Sequence, residues 1–103
     1  MKNMNQLMKQ AKKMQEDLMK AQEALGEQSF TGTAGGSAVK IVMNGHREVV
    51  QVVIDKDVVN PEEVDILQDL VQAAIADALK QVEETTEREM GKYTRGLNMP
   101  GLF

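Results

Sequence analysis

The sequence contains no cysteine and no tryptophan, one histidine, and only three aromatic residues, Phe30, Tyr93 and Phe103. Without thiols there is no disulfide framework, no thiol nucleophile and no cysteine-based zinc site. His46 by itself excludes a histidine metal cluster and leaves little for base catalysis. No nucleophile–base pair stands out anywhere, so the chain reads as no enzyme, with no cofactor and no metal. Long apolar runs are missing as well, which argues against a membrane span. The opening Met1-Lys-Asn-Met-Asn5 lacks the apolar stretch of a signal peptide, so the expected location is cytoplasmic.

What is present is 103 residues, 42% of them hydrophobic, which is the length of one domain. Eight methionines partly replace the missing aromatics, and Met is an adaptable filler. A domain this small hides only about two-thirds of its unfolded surface. So thin a core points to an oligomer. The net charge of −4 is unevenly spread. Residues 1–25 hold Lys2, Lys9, Lys12, Lys13 and Lys20 against three acids. Residues 48–90 hold twelve acids against three bases, and residues 91–103 hold Lys92 and Arg95 with no acid. Any affinity for a polyanion therefore rests on the two ends of the chain.

Residues 1–25 read as one amphipathic helix, with Met4, Leu7, Ala11, Met14, Leu18, Ala21 and Leu25 at heptad positions a and d. Gly26 is the expected stop. The five lysines fall away from this seam. Their bland reading is a solvated helix face; their functional reading is a surface that tracks phosphates. Residues 28–55 change to a strand period and predict a three-stranded antiparallel sheet. Gly35-Gly36 marks the first turn and Asn44-Gly45 the second, a strong hairpin signal. The stretch Thr31–Ser37 lacks the Lys-Ser/Thr of a P-loop and precedes no helix, so it reads as turn or bulge and not as a phosphate cradle.

Asn60-Pro61-Glu62-Glu63 starts a second helix: Asn60 caps, Pro61 takes the first position, and Glu63 is the acid of a capping box. Through Met90 its apolar half includes Leu67, Leu70, Val71, Ala74 and Ile75, and its acids read as a solvated face. The fold class is α+β in a single domain, residues 1–103. It divides into a helix over 1–25, a sheet over 28–55, a core helix over 61–90 and a flexible tail over 91–103 with an apolar end. Exposed sheet edges favour pairing with a second copy.

Several stretches then become recognisable together: Phe30-Thr-Gly-Thr-Ala-Gly-Gly36, Val39-Lys-Ile-Val with Asn44-Gly45, and Leu67-Gln-Asp-Leu-Val-Gln-Ala-Ala74. Met90-Gly-Lys and Gly96-Leu-Asn-Met-Pro-Gly-Leu-Phe103 complete the set. In their order and spacing the chain resembles the YbaB/EbfC family of bacterial nucleoid-associated proteins over essentially its full length. Ser37 departs from that pattern, since relatives often carry a third glycine there, and the acids of the second helix weaken any DNA surface on it. The resemblance implies an intertwined α+β homodimer with the long terminal helices projecting like tweezers. It also implies binding of double-stranded DNA with little sequence preference, a place in the nucleoid, and an influence on gene expression or nucleoid organisation.

Residues and resemblance combine into one expectation. Lys2, Lys9, Lys12, Lys13 and Lys20 contact phosphates, with Lys92 and Arg95 on the tail as weaker contributors. Val50, Val52, Ile54, Leu67, Leu70, Val71, Ala74 and Ile75 form the core and part of the dimer contact. The competing reading is a protein–protein adaptor in replication or recombinational repair, acting through the Met-rich helix and the apolar tail. Neither reading involves a membrane.

Overall fold

A computed structural model describes residues 2–94. Helix α1 (Lys2–Glu27) leads into strands β1 (Ser29–Ala34), β2 (Val39–Asn44) and β3 (Val49–Ile54). Two 3-10 turns, Lys56–Val58 and Pro61–Glu63, then precede helix α2 (Val64–Thr94). The strands form one antiparallel sheet in the order β1-β2-β3. The molecule measures 74 × 21 × 16 Å with a radius of gyration of 19.5 Å, whereas a compact chain of about 100 residues has one near 13 Å. The elongation has a local cause. α1 is about 39 Å long at 1.5 Å per residue, and residues 3–17 are all exposed.

The core is built where α2 crosses the first two strands. Val39, Ile41 and Met43 of β2 and Phe30 of β1 are buried against Ala74, Ala78 and Val82, and Leu25 and Met90 close the end nearest α1. α2 runs antiparallel to β1. Leu70 lies beside Gly35, Asp77 beside Thr33, Gln81 beside Thr31, and Glu89 beside Gln28. Gly32 makes the close crossing possible. A Cβ there would overlap the Ala74 carbonyl oxygen and stand 2.5 Å from the Ala78 nitrogen.

The two turns differ in chemistry. Between β1 and β2, Gly35, Gly36 and Ser37 all take positive φ, at 63°, 65° and 75°. The departure at Ser37 thus falls on a backbone conformation that glycine adopts without cost and L-residues resist. Asn44-Gly45 does end a strand of a hairpin, but the connection is the four residues Gly45–Glu48, longer than a two-residue turn. The Asn44 side chain organises it. Its Oδ1 accepts from the His46 and Glu48 backbone N–H groups at 2.9 and 3.1 Å, and its Nδ2 donates to Glu48 Oε1 at 3.0 Å. The left-handed residue is Arg47, at φ 65°.

Gly45 is needed for space. A Cβ there would overlap the Leu25 carbonyl oxygen, and one on Gly26 would overlap the His46 ring at Nε2. The pair seats the β2–β3 loop on the end of α1. Gly26 is therefore a docking residue inside the helix, which continues to Glu27.

Asn60 caps as its chemistry requires, its side chain accepting from the Glu62 N–H at 3.0 Å. The first turn is 3-10, with Pro61 at its start, so the α-helix proper begins at Val64. It runs through residues 91–94, where the sequence placed the start of a tail. Gly91 is tolerated within a helix because the long helical run before it and the packing of Met90 carry it.

The two sheet edges are treated differently. At the β1 edge, Asp77 Oδ2 accepts from the Thr33 N–H at 3.0 Å and Gln81 Nε2 donates to the Thr31 carbonyl at 2.8 Å. α2 thereby satisfies groups that would otherwise invite another strand. These α2 residues are hence not merely a solvated face, and neither is Glu89, whose carboxylate accepts from Gln28 Nε2 at 3.0 Å. Every residue of β3 is exposed.

Candidate nucleic-acid interface

The positive end of the molecule is α1. Lys9, Lys12, Lys13 and Lys20 are all exposed there. At about 100° of rotation per residue they share an arc of roughly 100°, centred opposite the a/d seam. Lys9 and Lys20 stand about 17 Å apart along the axis. Glu16 and Glu23 lie in the same arc, so the face is basic without being purely so. Lys2 and Lys92 have their backbones in α1 and α2, but their side chains, and all of Arg95, lie outside the described residues.

The seam opposite the lysines is only half covered. Leu25 is buried and Leu18 and Ala21 pack on the core, but Met4, Leu7 and Met14 are 64%, 64% and 44% exposed. Where α2 ends beside α1, Ala11, Met14, Gln15 and Leu18 line a hollow of about 240 Å³ with Tyr93.

The expected core on β3 needs correction for the single chain. Val50, Val52 and Ile54 are 58%, 51% and 38% exposed. There are two physical reasons. α2 lies over β1 and β2, so it does not reach across the third strand. A bulge between Val42 and Met43 also shifts the register, pairing Met43 with Val49 and leaving Val50 outside the ladder. Because cross-strand partners share a face, Val49, Val52 and Ile54 are the residues that continue the buried row Met43, Ile41 and Val39. Val49 was missed in the sequence because strict alternation ignores a bulge.

Of the α2 residues expected in the core, Ala74 is fully buried, while Leu67, Leu70, Val71 and Ile75 are half-buried and packed against it. Leu67, Val71 and Ile75, with Gln68 and Gln72, line an open hollow of about 460 Å³. An apolar strand and an apolar helix flank are thus both left uncovered in the single chain.

Chemically, exposed amines on a protruding rod can neutralise phosphates, and they carry no base-reading geometry by themselves. Two exposed cations drew no attention in the sequence. Arg47 sits in the loop seated on the end of α1, and Lys40 points outward from β2 between Thr33 and Val53. Each is a single charge in a strand or turn pattern, without a helical stripe to reveal it. Among the described residues, no three His, Cys, Asp or Glu side chains gather to hold a metal, and no helix is long and apolar enough to cross a membrane.

Comparison with known proteins agrees with this geometry. The model of the YbaB/EbfC DNA-binding family matches residues 1–97. The chain is 56% identical over 102 residues to a nucleoid-associated protein of Exiguobacterium sp., covering 99% of this chain and 97% of that one. It is 50% identical over 101 residues to a nucleoid-associated protein of Bacillus thuringiensis, covering 98% and 93%. Among solved structures, an uncharacterized protein from Helicobacter pylori superposes with a TM-score of 0.71 at 26% identity, over 82% of this chain and 88% of that one.

Proposed function

The chain belongs to the YbaB/EbfC DNA-binding family, and from that premise we propose that it works as a homodimer that grips double-stranded DNA by its phosphates. The observation that carries this reading is the exposed lysine face of α1, held on a rod that stands clear of the acidic body. Lys9, Lys12, Lys13 and Lys20 are the principal contacts, joined by Lys2 and, as weaker contributors, by Lys92 and Arg95. Lysine presents a point charge on a pliant stem, which suits contacts that ignore sequence. Recognition is accordingly of the backbone, with little base preference and no catalysis. Nucleoid association follows from the relatives, whose names place them there. The adaptor reading finds no support in the comparisons.

The homodimer is supported by the open β3 edge and by two uncovered apolar surfaces, the β3 valines and the α2 hollow. Burying one such side chain stabilises by about 1.5–3 kcal/mol. Pairing two copies through this surface also doubles the number of amines that face one duplex.

The test is titration of the full chain against duplex DNA at several salt concentrations. With the four described lysines of each copy engaged, the slope of log K against log salt is about −7. Affinity then falls on the order of 10⁴-fold between 50 and 200 mM salt. Replacing Lys12→Gln and Lys13→Gln halves the slope, and Lys12→Glu with Lys13→Glu abolishes binding while sizing still reports a dimer. A salt-independent affinity overturns the mechanism.

A further inference from the structure

We propose that the exposed N-terminal half of the α1 seam is a second self-association surface, separate from β3, on which α1 of another copy packs antiparallel. Size selects this occupant and its direction. In an antiparallel pair centred at Lys9, a positions meet d positions, so Met4 faces Met14 and the large Leu7 faces the small Ala11. The arrangement is two-fold symmetric, and every contact occurs twice. A parallel pair in register would instead set Ala11 against Ala11 and leave a void there.

Charge selects the same partner. At the e and g positions that flank the seam, residues 3–15 place Asn3, Met8, Gln10 and Gln15, none of them charged. Those positions decide which helices pair, and here they hold no like charges to turn a copy away. Lys9, Lys12 and Lys13 lie on the far side of the rod, so pairing leaves them exposed. Antiparallel packing also keeps the acidic bodies apart. Residues 48–90 hold twelve acids against three bases, and a parallel pair would bring two such segments side by side.

The surface has room for the partner. Met4, Leu7 and Met8 are 64%, 64% and 66% exposed, and Met14 borders the hollow it shares with Ala11, Gln15, Leu18 and Tyr93. Met4 of the other copy, brought opposite Met14, enters that hollow, where an unbranched thioether adapts to the available space. The four layers from Met4 to Met14 span about 15 Å. So small a contact is of the transient kind and forms at high protein concentration. It depends neither on DNA nor on the β3 contact.

The absence of native cysteine makes the test clean. Two full-length single-cysteine chains, Met4→Cys and a size-tagged Met14→Cys, are mixed without nucleic acid and treated with a short thiol–thiol cross-linker. Cysteine is itself a small hydrophobe, so the seam stays apolar. The expected result is a mixed 4–14 product severalfold above the 4–4 product. It persists when Val52→Asp is added to both chains. Leu7→Glu on both chains lowers it severalfold with the circular dichroism spectrum unchanged, since Leu7 packs little within its own chain. A prevailing 4–4 product overturns the proposal. So does a mixed yield no higher than that of Gln6→Cys, an exposed position off the seam, or a mixed product that vanishes with Val52→Asp.

Discussion

Gly32→Ala is a one-methyl change whose outcome follows from the crossing of α2 over β1. The added Cβ would overlap the Ala74 carbonyl oxygen, stand 2.5 Å from the Ala78 nitrogen and 2.8 Å from the Ala78 Cβ. Ordinary carbon contacts lie at about 3.5–4.0 Å, so sheet and helix must part by roughly 1 Å. Ala74 and Ala78 are fully buried. The clash is with backbone, so no side-chain rotation relieves it. Overpacking of this kind costs about 3 kcal/mol. Alanine restricts the unfolded chain and returns about 0.4–1 kcal/mol, leaving a net loss of roughly 2–3 kcal/mol.

In a domain of this size each kcal/mol moves the midpoint by about 4–8 °C, so Gly32→Ala should melt about 10–20 °C below the parent chain. The assay is far-UV circular dichroism at one fixed protein concentration, since association shifts the midpoint by mass action. Gly91→Ala is the control. Its Cβ meets nothing within 4 Å on a helical backbone, and it should gain up to about 1 kcal/mol. A Gly32→Ala variant as stable as the parent would refute the close crossing.

Other changes probe separate parts of the argument. Ser37→Gly relieves a residue held at φ 75° and should gain about 0.5–1 kcal/mol in denaturant titration; a loss would contradict the turn geometry. Asp77→Ala frees the Thr33 N–H at the β1 edge and should lower stability by about 1–2 kcal/mol, with the amide proton of Thr33 exchanging faster. Val52→Asp puts a charge on the open apolar strand and should weaken self-association at least 100-fold in sedimentation equilibrium. An unchanged dimer would move the interface off β3.

Much of the architecture was legible in one dimension because local physics decides it. The unbroken a/d series from Met4 to Leu25, the period-two strands and the Asn60-Pro61 start each act over a few neighbouring residues, and each appears as a helix, a strand or a cap. The lysine arc was legible for the same reason, since helical rotation alone sets those side chains opposite the seam. The bulge at Val42/Met43 and the exposure of β3 were not legible, because alternation says which residues share a face but not whether anything covers it. Gly26, Gly32 and Gly45 read as a stop, a strand residue and a turn. Their shared task, letting helix and loop backbones approach, exists only once Ala74, His46 and Leu25 are brought beside them. Local periodicity thus settled the elements and the direction of the charged face. Long-range packing alone decided that α2 stops short of β3, because one helix is wide enough to cover two strands and not three.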